Sequence, residues 1–406
     1  MRNKILRGGF ISAFFLEIIM IYLDNSATTK QRHEVTEIMM MHMEECFGNP
    51  SSLYQLGVDS EKSVKKARKQ ITVALGCPDG NICFTSGGTE ADNMAIFGAT
   101  KALKRSGRKI VTSEVEHPAV LECCKRLEAE GFEVERVGVD NKCRLDLDHL
   151  ESAINEDTIL VTLMHVNNEA GTIMPVEKVK SIMKARHAPG ILHCDAVQSF
   201  GKLLLPQGAD LISVSGHKIH GPKGSGALYI RKNVNLPAYI VGGGQESGRR
   251  SGTENVPAIA GLGIAAELAD NDRAEEMVRI AEMRKYLIKG FRSEIEDIII
   301  NSPEEAGTES GQCCPTVLNV SFLGTRGEVL LHTLEQDGIY VSTGSACSSN
   351  KKGQSHVLKA MGLDEKEIEG TLRFSFGRFN QMEEMDIVID KVASAVKRFR
   401  RLGSFR

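Results

Sequence analysis

The sequence predicts an α/β protein with a large, mostly parallel sheet covered by helices, followed by a smaller α/β domain. Helical patterns alternate with short β-branched runs from about residue 58 to residue 232, which is typical of parallel sheets. A glycine-rich stretch at 242–248 ends this alternation, and long helical patterns with two further strands follow. The 406 residues are enough to bury a large core without disulfides or metals.

The elements follow from apolar periodicity. Helices are predicted at Val58–Leu75, Thr89–Lys104, Pro118–Glu130, Val176–Ala188, about 256–297, and Met382–Arg400. Strands are predicted at Asn81–Thr85, Lys109–Ser113, Glu133–Val137, Ile159–Val166, Ile191–Cys194, Leu211–Val214, Ala227–Arg231, Val317–Phe322 and Leu372–Phe376. Because ligands of such sheets bind at the carboxyl ends of the strands, functional residues are expected there.

Three regions are expected along the chain. Residues 20–262 form the large domain, with their first residues packing on the small domain, and residues 263–406 form the small domain. Residues 1–19 resemble a signal peptide in their basic and apolar order, but Glu17 interrupts the apolar run and no small-residue cleavage site follows. We expect Met20 to be the natural start and residues 1–19 to be an unstructured extension, which the intact mass of the natively expressed protein would test.

Composition excludes several classes of protein. A formal charge of −3 gives no electrostatic reason to expect nucleic acid or an anionic membrane as partner. No other stretch approaches the ~18 apolar residues of a membrane span. The ten cysteines show no C-x-x-C spacing, which argues against zinc ribbons and thioredoxin-like motifs, and reduced cytosolic thiols fit best.

Two glycine motifs call for different interpretations. The run 85–90, Thr-Ser-Gly-Gly-Thr-Glu, lies between a predicted strand and a predicted helix and is a candidate phosphate site, with a tight turn as the alternative. The run 261–266, Gly-Leu-Gly-Ile-Ala-Ala, matches a dinucleotide fingerprint in its letters. It lies inside an apolar helical pattern instead of after a strand, so nicotinamide binding is not predicted.

Two neighbouring strand ends carry an acid and a lysine. Lys218 follows one strand within Ser-Gly-His-Lys, where desolvation would favour imine chemistry, whereas Lys223 is interpreted as a surface residue. His217 and His220 lack an acidic or cysteine partner nearby, so a zinc site is not predicted. Asp195 ends another apolar strand and would pair there with a cation, or else cap the next helix. An aspartate and an imine-forming lysine together are what pyridoxal phosphate requires.

Cys347 differs from the other cysteines in its surroundings. It lies in a loop rich in small residues with two lysines close by, at 340–353. Such an environment suits an accessible thiolate nucleophile, although a lone loop cysteine is more often inert.

With these motifs the chain resembles the group I (NifS/IscS-type) cysteine desulfurases, which are class V aminotransferase-family enzymes. The resemblance covers nearly everything from Ile21 to about Arg400. It is carried by 22–29 (Tyr-Leu-Asp-Asn-Ser-Ala-Thr-Thr), 47–51, 86–90, Glu116-His117, 165–169 (His-Val-Asn-Asn-Glu), 195–199 (Asp-Ala-Val-Gln-Ser), 215–218, 250–253, 344–347 and 372–375. It implies the aspartate aminotransferase fold, fold type I, with pyridoxal 5'-phosphate as cofactor.

The resemblance also implies roles for individual residues. Lys218 would hold the cofactor covalently, Asp195 would pair with its ring nitrogen, Gln198 would contact its ring hydroxyl, and His117 would stack on the ring and assist proton transfer. The phosphate would be bound by Gly88, Thr89, Ser215 and His217, with Thr253 reaching it from the neighbouring subunit of a homodimer. Asn168 and Arg373 would fix the substrate carboxylate, and Asn168 also counts among the cofactor-binding residues. Gly88 stands where many relatives have alanine, a change that leaves a backbone contact intact.

The implied function is removal of sulfur from L-cysteine, giving L-alanine and a persulfide on Cys347. The persulfide would pass to an iron–sulfur scaffold protein or a tRNA-thiolation enzyme in the cytoplasm, without direct contact to nucleic acid or membrane. No resident metal is expected, and Cys347 would touch an iron–sulfur cluster only transiently. The alternatives are a selenocysteine lyase or another pyridoxal-phosphate β-lyase, or a sulfur-relay partner whose catalysis depends on an accessory protein.

Overall fold

The computed structural model describes residues 20–306, 312–343 and 354–403. These ranges contain eleven α-helices and twelve strands.

 The helices are α1 (His33–Glu44), α2 (Gln55–Leu75), α3 (Gly88–Leu103), α4 (Pro118–Ala129), α5 (Leu147–Ala153), α6 (Val176–Ala185), α7 (Val256–Glu294), α8 (Gly327–Gln336), α9 (His356–Ala360), α10 (Glu365–Glu369) and α11 (Glu384–Gly403). The strands are β1 (Ile21–Tyr22), β2 (Gly80–Thr85), β3 (Lys109–Ser113), β4 (Glu133–Val137), β5 (Thr158–Met164), β6 (Ile191–Asp195), β7 (Leu211–Ser215), β8 (Gly226–Arg231), β9 (Ile298–Ile300), β10 (Val317–Phe322), β11 (Ile339–Tyr340) and β12 (Thr371–Ser375).

Seven strands form the large sheet, in the order β2-β8-β7-β6-β5-β3-β4. Strands β4, β3, β5, β6 and β7 pair in parallel, whereas β8 runs antiparallel to both of its neighbours. The predicted mostly parallel sheet is therefore confirmed. Its parallel strands end at one edge, and that edge carries the polar motifs.

Alternation along the strands gives the large sheet two apolar faces. Ile110 and Leu160 pack with α3 and α4 on one face, while Val111 and Val161 pack with α2, α6 and the first part of α7 on the other. Successive side chains of a strand point to opposite faces, so one short strand serves both cores. Strands that are buried on both faces have continuous apolar sequences. This explains why short apolar, β-branched runs were enough to locate them.

A second, smaller sheet has the antiparallel order β12-β10-β9 and packs against α8, α11 and the last part of α7. Strand β1 pairs in parallel with β11, and Ile21 and Leu23 are buried in the core of this second unit. The start of the described chain thus packs on the C-terminal part of the molecule.

Helix α7 runs without interruption through residue 262, where the sequence analysis places the domain boundary. The run 261–266 lies inside this helix, which confirms the helical interpretation of the glycine motif. A Cβ on Gly263 would lie 2.6 Å from the Ala67 Cα, so this glycine allows α2 and α7 to approach closely. Among the described residues, no helix is long and apolar enough to cross a bilayer.

Candidate active site

A cavity of about 320 Å³ opens at the carboxyl edge of the large sheet. Its volume lies within the range of small-molecule sites. Nine of the predicted site residues line it, namely Gly88, Thr89, His117, Asn168, Asp195, Gln198, Ser215, His217 and Lys218. Sequence motifs that are up to 130 positions apart therefore meet in one place.

Neighbouring strands bring the acid and the lysine together. Asp195 is the last residue of β6 and Ser215 the last of β7, and the two strands pair in parallel with Asp195 opposite Ser213. A short 3₁₀ turn at Gly216–Lys218 follows β7 directly and carries Lys218 to the cavity. The strand ends of a parallel sheet share one edge, which is why both side chains reach the same cavity.

The N-terminus of α3 forms one end of the cavity. Gly88 and Thr89 are its first residues, and a 16-residue helix places a partial positive charge and free N–H groups there. Gly87 has φ +157°, and a Cβ on Gly88 would lie 2.6 Å from the Val197 Cγ2, so both glycines allow a close turn. The Ser215 hydroxyl is buried at this end with no hydrogen-bond partner in the structure. This end can therefore hold an anion.

The Asp195 carboxyl is poised to meet a cation. Burial raises its pKa to about 6, against the lowering effects of a 2.9 Å hydrogen bond from the Val197 N–H and of the Lys218 charge. Asp92 on α3 lies close to it and also lines the cavity. Burial, and then the Asp195 charge, raise the pKa of Asp92 well above its usual value, which favours the protonated form of this carboxyl. A cation bound beside Asp195 would favour the ionised form of that carboxyl.

His117 is neutral at pH 7 and has a defined tautomer. Its Nδ1 accepts a 3.1 Å hydrogen bond from the Ala119 N–H at the start of α4, so the proton of the neutral ring sits on Nε2. Burial, followed by the charges of Lys218 and His356, lowers its pKa to about 4. An aromatic ring that is uncharged at pH 7 suits stacking on a planar ligand.

The preceding residue, Glu116, is fully buried behind His117. Its carboxyl accepts hydrogen bonds from the Ser113 hydroxyl at 2.5 Å and the Met164 N–H at 2.7 Å. Burial raises its pKa to about 8. Its backbone carbonyl lies 2.9 Å from Nε2 of His356 on α9, which ties the His117 segment to the C-terminal part of the chain.

The Lys218 amine is held by backbone carbonyls of the N-terminal segment. Its Nζ donates to the carbonyl of Ala27 at 2.8 Å and to that of Ser26. The neighbouring His217 has Nδ1 at 3.2 Å from the Thr28 hydroxyl, and burial lowers its pKa to about 4. The motif at 22–29 therefore belongs to the site through its backbone.

Arg373 lies behind the cavity wall, next to Asn168. Its Nη1 donates to the Asn168 carbonyl at 3.0 Å and its Nη2 to Asp24 Oδ1 at 2.8 Å, while its buried Nε has no partner in the structure. Only 1% of Arg373 is exposed. A guanidinium fixed in this way can present its remaining N–H groups to a carboxylate in a forked geometry.

One predicted site residue lies elsewhere. Thr253 is exposed and lines a different cavity, next to Gly252 and Glu254, so it does not reach Lys218 of its own chain. Its predicted role from a neighbouring subunit stays a prediction. Cys347 lies outside the described residues.

The nine other cysteines are free thiols, and seven of them are buried. Burial raises the pKa of Cys83, Cys123, Cys124 and Cys313 to about 12, so these thiols stay protonated. Thiolate is the reactive form, and these four positions therefore do not supply a nucleophile. Within the part of the chain that the structure describes, no cluster of three or more His, Cys, Asp or Glu residues could hold a metal ion.

Sequence reasoning assigned no role to three residues that the structure places at or behind the site. Asp92, Glu116 and Lys202 are all buried and polar. A signal was present for two of them, because Asp92 interrupts an otherwise apolar face of α3 and Lys202 stands in the apolar run 200–205. Charged residues are almost never buried without a partner, so such interruptions mark candidate sites.

Comparison with known proteins gives a consistent result. Residues 21–388 match the aminotransferase class-V family. The cysteine desulfurase IscS of Dictyoglomus turgidum is 41% identical, over 95% of this chain and 97% of that protein. The solved structure of a NifS-like protein is 38% identical and covers 93% of this chain and 100% of its own, with a TM-score of 0.86. The structure of SspA in complex with cysteine is 34% identical and covers 88% and 98%, with a TM-score of 0.75. The chain therefore belongs to the aminotransferase class-V family, and its relatives over the whole length are cysteine desulfurases.

Proposed function

We propose that this protein is a pyridoxal-phosphate-dependent cysteine desulfurase that removes sulfur from L-cysteine, releases L-alanine and carries the sulfur as a persulfide on Cys347. The observation that carries the proposal is the cavity in which buried Asp195 and Lys218 meet at the ends of neighbouring strands, with an anion site at one end. The relatives named cysteine desulfurase support the reaction, and the cysteine in the SspA structure supports the substrate.

The residues present fit pyridoxal phosphate. The unpartnered Ser215 hydroxyl and the N-terminus of α3 would bind the phosphate, with His217 beside them. Asp195 would pair with the protonated ring nitrogen, which resolves the cost of its burial. Gln198 would contact the ring hydroxyl and His117 would stack on the ring. When bound, the cofactor supplies a sink for the electron pair released at the substrate Cα.

Lys218 and His117 handle the protons. The Lys218 amine would hold the cofactor in the resting enzyme and, once released by substrate, would take the proton from Cα. The carbonyls of Ser26 and Ala27 keep Nζ at the cavity. His117 is neutral with its proton on Nε2, so it can donate there and recover the proton later.

Asn168 and Arg373 would orient the substrate through its carboxylate, and the Cys347 thiolate would then attack the substrate sulfur. A sulfur–sulfur bond forms and the Cβ–S bond breaks. The electron pair of that bond stays on the carbon skeleton, which is protonated and leaves as alanine. The persulfide would pass to an iron–sulfur scaffold protein or a tRNA-thiolation enzyme in the cytoplasm. A homodimer, in which Thr253 of one subunit reaches the phosphate of the other, belongs to the same proposal.

The test is release of alanine and sulfide from L-cysteine with a reductant, using cofactor-loaded protein. We expect equal amounts of both from the wild type and loss of both, by at least ~100-fold, in Cys347→Ser and in Lys218→Ala, because each removes a group that reacts covalently. Cys77→Ser is the matched control, since Cys77 is a half-buried thiol that does not line the cavity, and it should keep the wild-type rate.

A Cys347→Ser variant with the wild-type rate would overturn the persulfide step. Selenocysteine turnover that survives in that variant would then favour the alternative, a selenocysteine lyase or other β-lyase. A requirement for an added acceptor protein before any alanine appears would favour the sulfur-relay alternative.

A further inference from the structure

Lys202 is a buried cation that has no role in the function proposed above. Only 9% of its surface is exposed, and it stands in an apolar run four positions after Gln198. Burial lowers the pKa of its ammonium group; the nearby Glu276 charge opposes this effect and the Arg373 charge adds to it. Among the described residues, no carboxylate lies within ion-pair distance of its Nζ. A buried cation without a paired anion is costly, so this position calls for an explanation.

The contacts of Lys202 fix the orientation of a neighbouring amide. Its Nζ donates to Gln198 Oε1 at 3.2 Å, and Gln198 Nε2 donates to the Ser26 carbonyl at 2.9 Å. An ammonium group can only donate and a carbonyl oxygen can only accept, so both contacts require the same orientation of the Gln198 amide. Nε2 carries a second hydrogen beyond the one it gives to Ser26.

Lys202 and Gln198 line different cavities. Gln198 lines the active-site cavity, whereas Lys202 lines a smaller one of about 30 Å³, with Arg32, His220 and Glu276 among its walls. A space of that size holds one or two water molecules, which suits the remaining hydrogens of the ammonium group. Lys202 does not line the active-site cavity itself; its hydrogen bond to Gln198 joins it to that cavity, and Lys218 lines both cavities.

We propose that Lys202 is a positioning residue for the cofactor, which holds the Gln198 amide so that Nε2 donates a hydrogen bond to an anionic ring oxygen. The inference rests on the proposed function, which assigns Gln198 to the ring hydroxyl. Without Lys202 only the Ser26 carbonyl still favours this orientation, so the amide turns its oxygen toward that anion more often, and each turn replaces an attraction by a repulsion.

The test follows the visible absorption band of the cofactor-loaded protein as a function of pH. Lys202→Met keeps the length of the side chain and removes the donor. We expect the pH midpoint of the band to rise by ~1 unit, because loss of a hydrogen bond to the anionic oxygen disfavours the more negative form. Lys109→Met is the matched control, since Lys109 is 7% exposed and lies at the far end of the sheet, at the start of β3. It should keep the wild-type midpoint.

A second pair of variants tests the route through Gln198. In a Gln198→Leu background, Lys202→Met should add no further shift, because the amide through which it acts is gone. An equal shift in both backgrounds, or a wild-type midpoint in folded Lys202→Met, would contradict the proposal. If Lys202→Met does not fold, Lys202→Leu, which also lacks a donor, gives the same test. A wild type without a Lys218-dependent visible band would instead overturn the proposed function itself.

Discussion

Asp24 pairs with Arg373, the residue that we propose to bind the substrate carboxylate. The two form a 2.8 Å ion pair in which the Arg373 side chain is 2% exposed and that of Asp24 is 21% exposed. Asp24→Asn leaves a buried guanidinium without its anion, and we expect a loss of about 2 kcal/mol of stability, below the usual cost of breaking a fully buried pair. The KM for L-cysteine should rise by ~10-fold, because the Arg373 guanidinium is no longer oriented toward the substrate carboxylate. The change in kcat should be smaller.

Denaturant unfolding and steady-state kinetics measure both effects. Asp337→Asn is the matched control, because the Asp337–Lys391 pair has a similar distance, 3.0 Å, but is exposed on both sides. Its removal should change stability by less than about 1 kcal/mol and leave KM unchanged. An unchanged KM in Asp24→Asn would mean that Arg373 is positioned by the Asn168 carbonyl alone.

Single residues could be predicted where a local rule applies to them. Asp195 and Lys218 directly follow apolar strands, and strand ends share one edge of a parallel sheet, so their meeting could be predicted without coordinates. The contact of Lys202 with Gln198 could not, because it depends on a turn and on a small cavity that no sequence period encodes. The same holds for Asp24, whose partner is 349 positions away.

Helices α2 and α7 cross at Gly263, and their close contact depends on this residue. A Cβ there would lie 2.6 Å from the Ala67 Cα and 2.5 Å from the Gln70 side chain, and the backbone of α2 cannot move aside cheaply. Gly263→Ala should therefore lose about 2 kcal/mol of stability by overpacking, although alanine favours a helix by about 1 kcal/mol.

Gly261→Ala is the control for helix propensity in the same helix. A Cβ at Gly261 would lie 2.9 Å from the Met39 Cγ and 3.0 Å from the Pro222 Cγ, which are side-chain atoms and not the backbone of a facing helix, so the loss of stability should be smaller than at Gly263. Denaturant midpoints of the two variants give the comparison. A stabilised Gly263→Ala would show that the helices can separate at no cost.

The loop after β5 is joined to α9 by a buried carboxyl. Glu169 Oε2 accepts a 2.6 Å hydrogen bond from the Ser355 hydroxyl, and burial raises the pKa of Glu169 to about 7. A raised pKa means that the folded protein binds more protons than the unfolded chain between about pH 4.5 and pH 7. Stability contributed by this group is therefore present at low pH and falls as the pH rises through that window, by up to about 3 kcal/mol.

Glu169→Gln isolates this contribution. Buried histidines such as His165, whose pKa is lowered to about 4, make stability rise with pH between pH 4 and pH 6.5. The quantity to measure is therefore the difference in unfolding free energy between Glu169→Gln and the wild type at each pH. We expect the stability of Glu169→Gln relative to wild type to increase between pH 5 and pH 8 in denaturant unfolding. A constant difference over that range would mean that Glu169 is ionised throughout.

Elements were predicted best in the middle and least well at their ends. The predicted bounds of Lys109–Ser113, Glu133–Val137 and Val317–Phe322 are those of the structure. The helix predicted to reach Ala188 ends at Ala185, because His187 takes a left-handed conformation with φ +54°. Periodicity reports burial, and a helix end depends instead on the conformation of one residue.

At the scale of the whole molecule, the segment from Ile21 to Arg32 connects the second core to the active site. Leu23 is fully buried in the second core, the carbonyls of Ser26 and Ala27 hold Lys218, and the Arg32 N–H donates to the His220 carbonyl at 3.0 Å. Helix α7 contributes to both cores as well. Two continuous segments therefore join the large and small units, so the two should not unfold separately.

Leu23→Ala tests this coupling. The substitution removes a buried side chain of the second core and should cost about 3 kcal/mol. Only a few residues of backbone separate Leu23 from the Ser26 and Ala27 carbonyls that hold Lys218. We therefore expect far-UV circular dichroism and the visible band of the bound cofactor to report the same unfolding midpoint, and this midpoint should be lowered equally for both signals in the variant. Leu204→Ala, at a position 76% exposed, should leave that midpoint in place. If instead the circular dichroism shifted while the cofactor band kept its wild-type midpoint, the second core would unfold independently, and the N-terminal segment would be a tether and not a part of both units.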